Sequence, residues 1–566
     1  MKKLYVLLAL FLSLITAAQS PNWLWAKNAE STSGDYGIEV QSIGTDGNRN
    51  VYVTGNFYTS AVTFGSITLT KTQSSVDNIF IVKYDSSGNV IWAKSAGGTS
   101  VDFSYGISTD VKGNVYVTGS FEDTTITFGS TILTNAGNED MFVVKYDSSG
   151  NVVWAKNTGG TGGAFGSGIS TDGNCNVYIT GHFFRPAVTF ESITLTNVSD
   201  TDYFFMVKYD SSGNVVWAKS AGAIGSINDS NGHNSISTDS NGHVYVMGVF
   251  TSPTITFGAN TLTNNSLGDG CNIFVVKYDT SGNVIWAESA GEPGMSVEQG
   301  FNSISTDYNG NAYVTGFFSS PTIAFGSNIL TNNSAGLCDN NNIFIVKYDA
   351  SGNVVWAKGE GGTGSVGGDI CISTDGNGNS YITGGFDSPT FTVGSTTLTS
   401  NSLPCGSNIF IAKYDSSGNV IWAESAGGTG SDFSTAISTN ADGNGYITGF
   451  FTSPTIAFGA TTLTNDTTGF FIAKFRNNIT NGVANENTSL GGISVYPNPS
   501  NGTVYFKGGE KGYKIQIYDL LGTTIYATSA ITDNFCINLD REAKGIYFYK
   551  IFNNLTTIQE GKVILE

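Results

Sequence analysis

One pattern, copied seven times between Asn22 and Arg476, constrains this chain more than any other feature of its sequence. Trp-Ala followed by Lys or Glu recurs with Trp25, Trp92, Trp154, Trp217, Trp286, Trp356 and Trp422, at intervals of 62 to 70 residues. An Ile-x-Thr-Asp segment or a near variant begins at Ile43, Ile107, Ile169, Ile236, Ile304, Ile372 and Ile437. A Tyr-Val/Ile-Thr-Gly segment or near variant begins at Tyr52, Tyr116, Tyr178, Tyr245, Tyr313, Tyr381 and Tyr446, each with a Phe two residues past its glycine. Lys-Tyr-Asp starts at Lys83, Lys145, Lys208, Lys277, Lys347 and Lys413, and its seventh copy is the degraded Lys474-Phe475. Repetition at such a period means one supersecondary unit copied along the chain, each copy burying its apolar face against its neighbours.

Every marker has strand chemistry. Asn114 to Thr118 and Met141 to Tyr146 are rich in β-branched and aromatic residues and lack a helical period. Asp110-Val-Lys-Gly-Asn and Asp147-Ser-Ser-Gly-Asn read as hairpin turns, where Asp bonds backbone amides and Gly accepts positive φ. One unit is thus four main strands, with an Ile-Thr-Phe-Gly…Thr-Leu-Thr excursion between the second and third. Radial repetition of such units makes a β-propeller. The chain enters on a fourth-strand marker (Trp25) and leaves on a third-strand marker (Lys474), so the expected fold is a seven-bladed β-propeller over 22–476, closed by an N-terminal strand. Pairing of the two ends would bury edges that otherwise invite aggregation; an open solenoid is the rival arrangement.

Asp-Ser-Ser-Gly-Asn-Val-Val-Trp-Ala-Lys, together with Ile-Ser-Thr-Asp-x-x-Gly-Asn-Val-Tyr-Val-Thr-Gly-x-Phe, resembles the SBBP family of bacterial β-propeller repeats. The resemblance implies a fold and hardly an activity. Asp-Ser-Ser-Gly-Asn-Val-Ile-Trp is also similar to the tryptophan-docking turn of quinoprotein propellers, one residue shorter and without a cofactor-ligand set.

Both ends carry signals of another kind. Met1-Lys2-Lys3, the apolar run Leu4 to Ile15 and Thr16-Ala17-Ala18 form the three parts of a secretory signal peptide, residues 1–18, with cleavage expected after Ala18. That run is shorter than the ~20 residues of a spanning helix, and no later run is longer. Residues 477–492, rich in Asn, Thr and Gly, read as a linker. From 493 to 566 short strands are expected to form a small β-sandwich. There Tyr496-Pro497-Asn498-Pro499 with Gly502, then Asp519 and Gly522 in a Tyr-Asp-Leu-Leu-Gly hairpin, then Gly545 and Tyr547 in a Gly-Ile-Tyr strand and Lys562 in the last strand resemble the type A sorting domain of the type IX (Por) secretion system. This implies the secretion machinery as partner, export across the outer membrane and release or anchoring at the cell surface.

Charge narrows the partners further. With 26 basic and 45 acidic side chains the net charge is −19, leaving no basic patch to neutralise phosphates of nucleic acid or anionic lipid. Six cysteines, Cys175, Cys271, Cys338, Cys371, Cys405 and Cys536, include no Cys-x-x-Cys pair and do not form a disulfide framework.

Candidate sites lie where units depart from the pattern. The aspartates Asp46, Asp110, Asp172, Asp239, Asp307 and Asp375 read either as a Ca²⁺-binding ring or, in the favoured reading, as closures of their own hairpins; no other cofactor is expected. The histidines His182, His233 and His243 fall with Arg185 between 182 and 243. His182, Arg185 and His233 are the candidate ligand-binding residues, for a glycan carboxylate or a metal, against the alternative of scattered surface substitution. No Ser-His-Asp set, HExxH or P-loop is present. The expected function is a secreted or cell-surface, non-enzymatic binding and adhesion scaffold, a monomer that engages a polysaccharide or surface protein. The alternatives are a glycan-processing enzyme with carboxylates at one mouth of the channel and a purely structural surface protein.

Overall fold

A computed structural model gives the architecture. It describes residues 21–31, 37–71, 77–184, 186–199, 201–225, 235–266, 270–291, 303–334, 341–362, 366–402, 406–440, 443–465 and 469–476. Towards the C-terminus it describes 494–496, 500, 502–507, 513–519, 523–528, 534–540, 542–552 and 557–565. The signal peptide and its Ala18 cleavage position lie outside the described residues.

In the first complete unit, Ile38–Thr45, Val51–Phe57, Asn78–Tyr84 and Val90–Ala96 form one antiparallel sheet in that order. Its two middle strands are buried at every position. Burial on both faces is why they read as near-continuous apolar runs rather than as an alternation. Ala61–Phe64 and Ile67–Thr70 pair as a separate hairpin between the second and third strands.

This hydrogen bonding corrects the expected seven-bladed propeller closed by its N-terminal strand. The described strands fall into fifteen small sheets, and among them none closes on itself. Nor is the bonded unit always a four-stranded blade. One sheet runs through six strands of two successive repeats, because Gly361 and Gly362 at the end of a fourth strand pair with Thr392 and Phe391 of the next unit's hairpin. Gly97 with Thr127 and Gly159 with Thr189 make isolated bridges of the same kind. The physical reason lies in the Gly-rich crossovers, whose backbone groups need partners and meet the nearest strand edge, that of the following hairpin. The N-terminal strand Asn22–Lys27 pairs antiparallel with Phe470–Arg476, Trp25 opposite Lys474, and completes one four-stranded sheet. The fold is all-β, built of many small antiparallel sheets.

Side chains of the repeat hold successive units together. Trp154 donates its indole N–H to the Ser211 carbonyl at 3.3 Å, and Lys145 donates its ammonium to the same oxygen at 2.9 Å. Lys145 also lies over the Tyr116 ring, 5.2 Å from its centroid, an arrangement that adds cation–π attraction. The Trp154 ring covers Gly213, so close that a Cβ there would lie 2.9 Å from it. The same grip recurs on Ser86, Ser148, Thr280, Ala350 and Ser416. On Ser86 the two donors are Trp25 and Lys474, drawn from opposite ends of the repeat region.

Contacts divide the chain into two compact units, Met1–Asn478 and Ile479–Glu566. In the second, Ser494–Tyr496, Thr503–Lys507 and Asn534–Asn538 form one sheet, while Lys514–Tyr518, Thr524–Thr528, Gly545–Phe552 and Thr557–Leu565 form another. The two sheets share a core that includes Val504, Phe506, Ile515, Ile517, Ile551 and Val563. Among the described residues no helix is long and apolar enough to cross a membrane.

Candidate functional site

The first strands of all seven units line one cavity of about 230 Å³. Its apolar part comes from the repeated isoleucines Ile43, Ile107, Ile169, Ile236, Ile372 and Ile437. Along each strand a Ser-Thr or Gly-Thr pair follows the isoleucine and knits neighbouring units. Ser108 bonds Thr171 at 3.2 Å, Ser170 bonds Thr238 at 3.0 Å, Ser237 bonds Thr306 at 2.9 Å and Ser373 bonds Thr439 at 2.8 Å. Thr45 of the first unit bonds Ser438 of the last at 3.1 Å. These residues are therefore committed to structure.

Residues preceding the isoleucines are repeated only in part: Ser42, Ser235 and Ser303 recur, and each accepts the amide of a neighbouring unit's isoleucine. Gln41, Tyr105, Ser167, Asp369, Cys371 and Thr435 all line the cavity, and none of its described lining residues is basic. Gln41 donates to Glu39 Oε1 at 2.9 Å, and the Tyr58 hydroxyl donates to Glu39 Oε2. Cys371 donates its thiol to the Thr435 carbonyl at 3.1 Å. Asp369 is half-buried and lines the cavity. Burial, and after it the charge of Glu39, push the Asp369 carboxyl well above its ordinary value. Burial and the neighbouring Asp369 likewise push up the Cys371 thiol.

The hairpin aspartates are fully engaged elsewhere. Asp110 Oδ1 accepts the amides of Lys112 and Asn114, both at 2.9 Å, while Oδ2 accepts the Asn114 amide group at 2.7 Å and the Tyr116 hydroxyl at 2.9 Å. Burial alone would raise this carboxyl, but the bonds from Asn114, Tyr116 and Lys112 outweigh it and hold the pKa below its ordinary value. Asp46, Asp172, Asp307 and Asp375 bond in the same way, and Asp239 uses His243 in place of Asn, with Nδ1 2.9 Å from Oδ2. These oxygens have been spent on the turns, which leaves little capacity for a cation ring.

His182 is a core residue, buried and stacked on Phe165 at 4.8 Å with its edge to Phe184; it does not line the cavity. Arg185 and His233 lie outside the described residues. Of the sorting-motif positions, Gly502 accepts the Leu539 amide at 2.7 Å, and Asp519 closes a turn by accepting the Thr523 amide at 2.8 Å. Gly545 opens a strand in which Tyr547 is buried and donates to the Ala543 carbonyl at 2.6 Å. Lys562 is exposed opposite Phe548, and the backbone of Tyr496 pairs with Tyr505. Pro497, Asn498, Pro499 and Gly522 lie outside the described residues, as does the Tyr496 side chain.

Sequence reasoning missed Tyr105 and Asp369. Their signal was present, because each breaks the repeat within four residues before the isoleucine marker.

One departure makes a pH dependence. Asp432, at the start of a first strand, accepts the Gly428 amide at 2.7 Å, the Thr452 and Ser453 amides at 3.1 Å and the Ser453 hydroxyl at 2.7 Å. At the corresponding Asp102 the serine is replaced by Asp123; the Gly98 amide still bonds Oδ2 at 2.8 Å, and Oδ1 is buried without a hydrogen-bond partner. Burial, reinforced by Asp123, Asp77 and Glu122, raises Asp102 to about 7, and burial raises Glu139 to about 7 and Asp202 to about 6. Each keeps its proton in the folded chain after the unfolded chain has lost it, so stability falls as pH rises from the ordinary carboxyl range to about 7. Thermal unfolding should therefore occur at a higher temperature near pH 5 than near pH 8, about the two sides of that window. Asp102→Asn should flatten the decline; an unchanged slope in that variant would count against this origin.

Comparison with known proteins places the two regions. Residues 494–566 match the secretion system C-terminal sorting domain, and residues 91–120 match the β-propeller repeat. The chain carries a β-propeller repeat and a secretion sorting domain. Its sorting domain makes it a client of the type IX secretion machinery and places it outside the cell or at its surface. It is 27% identical over 521 residues to an uncharacterized WD repeat-containing protein of Acanthamoeba polyphaga mimivirus, covering 77% of this chain and 36% of that one. The chain thus spans about a third of that relative's length. Among solved structures it is similar to PorZ, a surface component of the type-IX secretion system of Porphyromonas gingivalis, at 11% identity and a TM-score of 0.16, over 95% of this chain and 100% of that one. It is also similar to a polysaccharide lyase, at 10% identity and a TM-score of 0.35, over 82% of this chain and 94% of that one.

Proposed function

We propose that the exported repeat region is a non-enzymatic binding and adhesion scaffold that takes its ligand at the cavity between the first strands. One observation carries this reading. The residues that knit the units are repeated, whereas Gln41, Tyr105, Ser167, Asp369, Cys371 and Thr435 depart from the repeat and are gathered in one place. A scaffold kept constant with one variable concave surface is the usual organisation of a binding protein.

The test is a glycan-array and cell-surface pull-down screen with the full chain, alongside Gln41→Trp, which fills the cavity. Binding that weakens at least about tenfold in this variant, with unfolding unchanged, is the expected result. Absence of any binding, or binding indifferent to Gln41→Trp, overturns the reading. A second reading, a glycan-processing enzyme, is favoured by one feature: the Asp369 carboxyl lines the cavity, and burial raises it towards its neutral acid. Polysaccharide turnover lost in Asp369→Asn would select it.

A further inference from the structure

In the last unit a carboxylate and a serine clasp the crossover between them. Asp432 Oδ2 accepts the Gly428 amide, while Ser453 donates its hydroxyl to the same Oδ2 at 2.7 Å and accepts the Gly430 amide at 2.9 Å. Serine fills this position in three further units, as Ser252, Ser320 and Ser388; in the second unit it is Asp123. There Asp102 Oδ2 accepts the Gly98 amide at 2.8 Å. Asp123 accepts the Thr99 and Ser100 amides on Oδ2 and the Thr99 hydroxyl on Oδ1 at 2.7 Å. Two carboxyls thus grip three successive residues of one crossover, and both are buried, at 0% and 7% exposure. The hydroxyl that would donate to Asp102 is gone, and Asp102 Oδ1 has no hydrogen-bond partner. The charged groups acting most strongly on Asp102 are themselves acids: Asp123, Asp77 just before the preceding unit's third strand, and Glu122; Lys71 acts on Asp77.

We propose that Asp102 and Asp123 share one proton and make the crossover 97–100 a pH-operated clasp, closed while the proton is held and open once it is lost. Two enclosed carboxylates cannot both ionise side by side without a donor or counter-ion between them. A proton on one of them supplies the donor that the Ser453 hydroxyl supplies in the last unit. On opening, the carboxyl O–H bond breaks, the proton passes to solvent and the pair carries two negative charges. Asp102 is fully enclosed at the head of its strand, whereas Asp123 lies between the exposed Glu122 and Thr124. Asp123 is therefore the partner that swings to water, releasing the Thr99 and Ser100 amides. Burial, with the neighbouring acids behind it, raises Asp102 to about 7, which sets the window of the change. The opening is local and occurs within the folded chain, apart from the change in global stability. It loosens the head of the strand that carries Tyr105 to the cavity.

The experiment is hydrogen exchange of the full chain, read by mass spectrometry on peptides covering 97–101 and 427–431 and corrected for the intrinsic exchange rate at each pH. Between about pH 6 and about pH 8 protection at 98–100 should fall at least about tenfold, since loss of one proton changes an opening equilibrium by up to about tenfold per pH unit. Protection at 428–430, where Ser453 occupies the corresponding position, should hold over the same range. Asp123→Ser, which restores the arrangement of the last unit, and Asp123→Asn, which keeps the size and removes the charge, should each abolish the fall, with thermal unfolding confirming that the variants fold. Constant protection at 98–100 in the natural chain, an equal fall at 428–430, or a fall that persists in either folded variant overturns the proposal.

Discussion

Gly150→Val is expected to destabilise the repeat region by about 3 kcal/mol or more, seen as a lower midpoint in denaturant unfolding. Gly150 has φ of 81°, a conformation that a β-branched residue adopts only under strain. A Cβ there would also lie 2.9 Å from the Trp92 ring, which covers this turn from the preceding unit. Relief would require lifting Trp92 off the turn, and that breaks its bond to the Ser148 carbonyl at 3.2 Å. Gly173→Ala is the control: nothing lies within 4 Å of a Cβ at that turn, and the midpoint should hardly move. Equal effects at the two glycines would show that docking of the tryptophan is not what joins the units.

Trp422→Ala is the second large effect, about 3–5 kcal/mol by the usual cost of truncating a buried aromatic. At 1% exposure Trp422 is the most enclosed tryptophan of the series. It meets Phe475 edge-on at 5.9 Å and Tyr381 at 6.2 Å. Phe475 stands where the other copies carry the Tyr of Lys-Tyr-Asp, and the N-terminal strand lies beside it through the Trp23–Phe475 pairing. Loss of this ring therefore weakens the sheet that the two ends of the repeat region share. Trp154→Ala, at a half-buried copy, should cost less; a larger loss there than at Trp422 would contradict this account.

Much of the local structure was legible in the sequence, for a physical reason. Strand, turn and hairpin chemistry is short-range: Asp110 and Asn114 are four residues apart and bond each other wherever the unit sits. The same locality explains why the aspartates are better read as turn closures than as a cation ring. Markers also pointed to contacts between units, since Trp92 and Lys83 recur only because each meets the next unit's turn. What they did not reveal was the partition into sheets. Crossover glycines have no side chain to announce a partner, and only the fold shows Gly361 and Gly362 bonding the next hairpin. His182, singled out by rarity, proved to be a stacked core residue, because composition ignores which face of a strand is buried.

The sequence by itself determined the strands, the turns, the seven-fold repetition and the export signal at the C-terminus, all written in residues close together along the chain. Tertiary structure alone decided which departures from the repeat share a space. Gln41 and Asp369 are more than 300 residues apart, yet they line one cavity. Which strands share a space is set by packing between units rather than by order in the chain, so this juxtaposition had no counterpart in the linear pattern.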